Sequence, residues 1–324
     1  MPERYVSSSL PRRAVLVGAV AAWLAMTGAA RPAPAAEKRL RIGVQKYGTL
    51  VILWQRGTLA SLLAKHGWSV QWTEFPAGPQ LLEALNAGAL DFGATGETPP
   101  IFAQAAGAPL VYVAAEPPSP EGEAILVPQT SPTRTLADLR GKRVALNKGS
   151  NVHYLLVQAL AAAHLAPADI QPVYLAPADA RAAFQEGAVD AWAIWDPFLA
   201  AAQAATSARV LTDARGLAPN RQFFLATRDF ATRNPEIVAL LMEQIRLTDA
   251  WAEQHQAEVA ALLSPRLGVP VPVLRTALGR MAYGVGPVTS QILADQQRIA
   301  DAFHALRLVP VPVTVRDAHW APPA

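Results

Sequence analysis

Residues 68–95 read WSVQWTEFPAGPQLLEALNAGALDFGAT, and this run decides the fold class. Residues 68–75 alternate with period two, the pattern of a strand with one buried face. Residues 78–88 then set Leu81, Leu82 and Leu85 on one side of a helix, with Gly88 as its stop. A second strand follows at 91–95. Strand, helix and strand in this order build a parallel sheet, and such sheets hold ligands at the carboxyl ends of their strands.

The same alternation extends in both directions. Upstream, 40–44 is a short apolar strand and 50–65 a helical pattern. Downstream, 99–106 is a short helix opened by prolines and 110–115 a strand. After the proline-rich stretch 117–120 a second unit begins. Its expected strands are 143–147, 170–175, 191–195 and 209–212, with helices over 151–164 and 178–186. A further strand is expected at 222–227. From residue 235 the pattern is helical to about 306, with breaks at Ser264-Pro265 and around 284–287. Two stretches echo one another. Residues 81–91 (LLEALNAGALD) and 180–190 (ARAAFQEGAVD) each carry a helix that stops at Gly and meets a strand after Asp91 or Asp190. The expected fold class is α/β with two lobes, a parallel-rich sheet in each and a helical C-terminal part. Lobe 1 spans 36–120 and 219–324, lobe 2 spans 121–218, and the hinge lies near 116–123 and 216–222.

Composition narrows the function. Of 324 residues, 52% are hydrophobic and 16% charged, which suits a large core and excludes disorder. The absence of cysteine excludes disulfides, iron–sulfur clusters, cysteine-ligated zinc and a cysteine nucleophile. The net charge of +3 comes from 28 basic against 25 acidic residues. Residues 1–36 hold Arg4, Arg12, Arg13 and Arg31 against Glu3, so taking four from one sum and one from the other leaves 24 of each. A neutral body has no electrostatic reason to bind nucleic acid or an anionic membrane.

The N-terminus reads as an export signal, residues 1–35. Arg12 and Arg13 precede an apolar run from Ala14 to Ala30, 17 residues rich in Ala, Val and Leu, and Ala33-Pro34-Ala35 offers small residues for cleavage. The arginine pair leaves the twin-arginine route open beside the general one. The mature protein is expected in the periplasm as a freely diffusing monomer.

No G-x-S-x-G elbow, phosphate-binding G-x-x-x-x-G-K-[ST] loop or H-E-x-x-H motif occurs. The six histidines show no metal-ligand spacing. No catalytic residues, metal or cofactor are therefore expected. Ser150 and His153 suggest a nucleophile and base only weakly, since a Ser at a helix start is ordinary capping chemistry. Three segments instead place small polar groups just after strands. Thr95-Gly96-Glu97 runs from a strand into a helix, and Lys148-Gly149-Ser150-Asn151 does the same in the second unit. Glycines allow close approach, and the free amides of a helix start attract an anion. A sulfonate, whose single charge spreads over three oxygens, suits such donors. Thr95 and Ser150 are equally ordinary turn residues. In the third segment, alternation sets Trp195 at the carboxyl end of its strand, and Asp196-Pro197 opens the next helix. Trp195 reads either as core or as an aromatic wall for an alkyl chain, and Asp196 as a cap or a ligand contact.

These segments resemble the aliphatic-sulfonate-binding proteins of bacterial ABC importers. The resemblance is carried by 74–80 with 85–88, by Pro99-Pro100-Ile101-Phe102 through Gly107, by Lys148-Gly149-Ser150, and by 177–197. It extends over about 41–320 and implies a type II periplasmic-binding-protein fold that closes over its ligand and docks on a membrane permease with its ATPase. Residue by residue, it implies ligand contacts at Gln45, at Thr95-Gly96-Glu97 (where the family has Thr-Gly-Asp), at Gly149-Ser150 and at His153. Asn151 and Val152 replace small serines, and Tyr47-Gly48-Thr49 departs from a Gly-Ser stretch. The expected ligand is an alkanesulfonate. Taurine, nitrate and a heterocyclic vitamin precursor stay open on the same fold, with Glu97 as the carboxylate that would read an amine. Porphobilinogen deaminases and pyrimidine-precursor synthases also resemble this fold, but the former attach their cofactor through cysteine and the latter carry a cysteine-rich motif, so with no cysteine in the chain an enzyme on these lobes is the less favoured alternative.

Overall fold

The computed structural model describes residues 38–321. The expected signal at 1–35 lies outside the described residues. Ten strands form two sheets. They are β1 (Lys38–Val44), β2 (Trp68–Glu74), β3 (Phe92–Gly96), β4 (Leu110–Ala115), β5 (Glu123–Val127), β6 (Arg143–Leu146), β7 (Gln171–Tyr174), β8 (Ala191–Trp195), β9 (Arg209–Asp213) and β10 (Gln222–Thr227).

The first sheet runs β2-β1-β3-β10-β4 and the second β7-β6-β8-β5-β9. In the first, β1 pairs in parallel with β2 and β3, while β10 runs antiparallel to β3 and β4. In the second, β6 pairs in parallel with β7 and β8, while β5 runs antiparallel to β8 and β9. The two orders are therefore the same pattern. In each, the strand that arrives over a crossing segment slots antiparallel into the fourth place. The crossings are 116–122 and 214–221.

The echoed sequences sit at equivalent points of the two sheets. Gly88 and Gly187 end their helices in the left-handed region, at φ 72 and 71. The Asp91 carboxylate accepts from the backbone amide and side chain of Arg41 on β1. Asp190 does the same for Arg143 on β6. Each aspartate thereby fixes the spacing of the first and third strands of its unit.

Packing follows the patterning. Helix Gly78–Asn86 buries Leu81, Leu82 and Leu85. It lies so close to β1 that a Cβ on Gly43 would stand 2.6 Å from Leu90 and 2.8 Å from Leu81. Leu40, Ile42 and Val44 face the other way, into a core with Leu50, Leu53 and Phe224. Each such side chain contributes about 1.5–3 kcal/mol on full burial. The C-terminal helices Pro235–Gln254, Gln256–Leu267, Val271–Leu278 and Ser290–Ala305 complete the α/β, two-lobed architecture. Among the described residues, no helix is long and apolar enough to cross a membrane.

Three local expectations change. The 50–65 pattern is two helices, Thr49–Arg56 and Thr58–Ala64, because Gly57 turns left-handed at φ 68. Strand β5 is an addition: its run Ala124-Ile125-Leu126-Val127 is apolar throughout, buried on both faces, and so lacks the alternation that marks a strand. In the C-terminal part the expected break around 284–287 is present, between helices Val271–Leu278 and Ser290–Ala305, whereas the other breaks fall at His255 and Gly268 and not at Pro265, which stays inside its helix near the end. Only one amide is lost there.

Candidate functional site

The carboxyl ends of both sheets face a cavity of about 690 Å³ of atom-free space, its opening to solvent included. Gln45 and Tyr47 enter it after β1, Gly96 at the end of β3 and Trp195 at the end of β8. Ser150 and Asn151, at the start of helix Asn151–Ala162, form the wall from lobe 2. Both crossings contribute, Glu116, Ser119 and Gly122 from one and Asn220 and Arg221 from the other, and Gln222 enters at the start of β10. Pro99, Pro117 and Met281 add apolar surface.

Asn151 joins three parts of the chain. Its Oδ1 accepts from the Thr98 amide of lobe 1 at 3.2 Å, and its Nδ2 donates to Asn220 Oδ1 at 2.8 Å. Asn220 Nδ2 in turn donates to the Ser119 carbonyl at 2.7 Å. This packing is why residue 96 has no side chain: a Cβ there would lie 2.1 Å from Asn151 Oδ1. A second tie runs from Arg280, beyond helix Val271–Leu278, to lobe 2. Its Nη1 is 3.3 Å from Asp196 Oδ2, and its Nη2 donates to Gln203 at 2.7 Å.

The sequence-derived residues divide. Gln45, Gly96, Ser150, Asn151 and Trp195 line the cavity together. Gln45 Nε2 donates to the Ala94 carbonyl at 3.1 Å, and Ser150 Oγ donates to the Asn147 carbonyl at 2.7 Å. Trp195 packs edge-on against Phe198 at 6.3 Å. Thr95 lies wholly buried beneath the wall, its hydroxyl on the Gly96 carbonyl.

Glu97 turns away from the cavity. Its two oxygens accept the amides of Asn220 and Arg221 at 3.1 and 2.8 Å, so it anchors a crossing and is not placed to read an amine. Burial pushes it up to about 7 against the pull of those amides. The Gly149 amide also has another partner, donating to His153 Nδ1 at 3.2 Å. Gly149 borders a separate groove beside Phe102. His153, 4% exposed, sits among Phe102, Tyr174 and Phe303 as a neutral core ring, pushed down to about 4 by burial and by Lys148. Asp196 caps its helix, accepting from the Ala200 amide at 3.0 Å, and pairs with Arg280. Burial raises it to about 6.

Sequence reasoning missed the charged members of the wall. Arg221 is the guanidinium among the lining residues and Glu116 the carboxyl. Arg221 Nη1 donates to the Glu116 carbonyl at 2.9 Å, which fixes the cation at the hinge side of the cavity. Both lie in crossings, where no periodicity or motif marks them. The one available signal was their place at the expected hinge. Among the described residues, no three or more His, Cys, Asp or Glu side chains stand together as a metal site.

What this arrangement can do is hold a small amphiphilic anion, charge toward Arg221 and hydrocarbon toward Trp195 and Met281. Comparisons with known proteins agree in kind. The NMT1-like family model matches residues 33–264. A protein of Escherichia coli K12 described as an aliphatic-sulfonates-binding protein is 44% identical over 311 residues, covering 96% of this chain and 97% of that one. The solved structure of the alkanesulfonate-binding protein from Xanthomonas axonopodis pv. citri bound to MOPS is similar at TM-score 0.83 and 45% identity, over 88% of this chain and 99% of that one. The periplasmic aliphatic sulphonate binding protein of Escherichia coli matches at TM-score 0.80 and 46% identity, over 88% and 93%. The chain belongs to the NMT1-like family, in the group of the aliphatic-sulfonate-binding proteins.

Proposed function

We propose that this protein is the periplasmic, ligand-capturing subunit of an ABC importer, and that it delivers alkanesulfonates to a membrane permease as sulfur sources. The observation that carries the reading is the cavity between the lobes, with one guanidinium, Arg221, facing an apolar wall of Trp195, Met281, Pro99 and Pro117. A sulfonate head pairs with Arg221 and the neutral donors around it, and its alkyl chain lies on the indole. Gln45, Gly96, Ser150 and Asn151 shape the head-group end. The protein does no chemistry on its ligand. Its work is closure about the crossings 116–122 and 214–221, which couples capture to docking on the permease and its ATPase. Export by a cleaved signal over residues 1–35 and a monomeric mature chain complete the reading. Relatives named for alkanesulfonates, one of them holding the sulfonate buffer MOPS, support it.

A thermal-shift series tests it. Alkanesulfonates are expected to raise the melting temperature, since a ligand at a hundred times its Kd stabilises the native state by about 2.7 kcal/mol. Sulfate, nitrate and taurine are expected to do so less or not at all. A shift from nitrate or taurine alone would reassign the ligand, and ligand converted to product after incubation would overturn the transport reading.

A further inference from the structure

Behind the cavity wall at Glu116, a single buried hydroxyl stands between two buried carboxyl groups. Thr49 opens helix Thr49–Arg56 with its Oγ 2.9 Å from Glu116 Oε1 and 3.0 Å from Asp249 Oδ1. Glu116, 5% exposed, follows β4 and lines the cavity, while Asp249, 2% exposed, lies behind it on helix Pro235–Gln254. A threonine hydroxyl has one proton to give. If both acids were ionised, one of these contacts would set lone pair against lone pair in a buried place. One acid must therefore hold a proton and donate it to Thr49.

The remaining contacts decide which. Asp249 Oδ2 accepts two backbone amides, Gly284 at 2.6 Å and Val285 at 3.3 Å, so that oxygen is already taken up as an acceptor. The second oxygen of Glu116 meets the Gln222 carboxamide at 3.3 Å, a weaker partner. The proton thus sits on Glu116 Oε1, passes its hydrogen bond to Thr49 Oγ, and Thr49 donates onward to Asp249.

We propose that Glu116 lines the cavity as a neutral acid, and that this neutrality determines specificity by sparing a monoanionic head group the repulsion of a carboxylate in the same cavity, whose guanidinium, Arg221, already has Asp295 at 3.9 Å. The inference rests on the sulfonate reading above. Burial and the nearby Asp249 charge push Glu116 up to about 8, which agrees with the geometry. Other buried acids near the cavity also titrate upward of their ordinary range, Glu97 and Glu123 among them, so the comparison with Glu116→Gln is what isolates the share of Glu116. Tyr47 and Tyr283 are pushed upward by burial, Arg221 is lowered by it, and Asp196 and Glu97 titrate at about 6 and about 7.

Calorimetry with butanesulfonate, whose charge is constant over this range, tests the proposal. Between pH 7.5 and 9.5 the affinity of the wild type is expected to fall at least about tenfold, as Glu116 ionises in the free protein and must be reprotonated on binding. In Glu116→Gln the ratio of affinities at the two pH values is expected to approach one. In Asp249→Asn, Thr49 is free to donate to Glu116, so the fall is expected to begin at lower pH. An unchanged wild-type affinity, or a fall that persists in Glu116→Gln, overturns the proposal. Should Glu116→Gln not fold, proton uptake at pH 9 decides: titration in two buffers of different ionisation heat should show about one proton taken up, and none would overturn the idea. If butanesulfonate does not bind at all, the sulfonate reading fails. The infrared difference between wild type and either variant at pH 7.5 then still shows whether Glu116 holds a proton, and loss of no protonated-carboxyl band in Glu116→Gln would count against it.

Discussion

Trp195 ends β8 with its indole on the cavity wall, while its strand neighbours Trp192, Ala193 and Ile194 are buried in the lobe 2 core. An indole so placed can cover methylenes but adds nothing to a ligand that has none. Trp195→Ala is therefore expected to weaken longer alkanesulfonates more than methanesulfonate, with the gap widening by up to about 0.8 kcal/mol for each methylene that loses its cover. Calorimetric titration of methane-, butane- and hexanesulfonate reads this directly, and equal losses for all three would remove the tail from Trp195. This residue was legible because strand alternation and position at a strand end are local properties. Glu97, Gly149 and His153 stood at equally suggestive positions, yet their partners come from elsewhere. The amides that hold Glu97 belong to a crossing more than 120 residues away along the chain, as Asn220 and Arg221. The ring that takes the Gly149 amide is fixed by packing on Phe303 of the C-terminal helix.

At the scale of elements, the stub after helix Val271–Leu278 ties the C-terminal region to lobe 2. Arg280 meets Asp196 and Gln203 there, and its carbonyl accepts from Ser119 at 2.6 Å. A charged hydrogen bond of this kind is worth about 1.5–3 kcal/mol. Arg280→Ala leaves the buried Asp196 without its cation and removes this tie to lobe 2, so ligand affinity is expected to fall roughly tenfold, about 1.4 kcal/mol. A variant that melts earlier but binds unchanged would show that the tie supports the fold alone. No motif announces this contact, because an arginine after a helix is unremarkable until its partner is known. The repeated units were readable by contrast. Helix, glycine and aspartate recur in both halves, and Asp91 and Asp190 perform the same service for Arg41 and Arg143. Strand β5 escaped notice because full burial on both faces erases the alternation on which strand reading depends.

For the whole molecule, the buried acids set a pH dependence of stability. Glu116, Glu97 and Asp196 stand at about 8, 7 and 6 in the folded chain, above their ordinary values of 4.5, 4.5 and 3.8. The native state therefore binds protons that the unfolded chain has already released, and its stability falls as pH rises through this interval. His153 acts in the opposite sense. Its folded value of about 4 lies below the ordinary 6.5, so it costs stability only as pH falls below that point. The melting temperature of the mature protein is expected to be higher at pH 6.5 than at pH 9, and Glu97→Gln should narrow the difference. An equal or higher value at pH 9 would contradict the placement of these acids. The crossing pattern of the sheets has a further consequence for how the molecule comes into being. All five strands of the second sheet lie within one unbroken stretch, Glu123 to Asp213, whereas β3 and β4 are kept apart by a place that only Gln222–Thr227 can fill. A nascent chain that has reached residue 213 therefore holds every member of its later sheet and an earlier one with a vacant slot, so the half that is begun first is the half that is finished last.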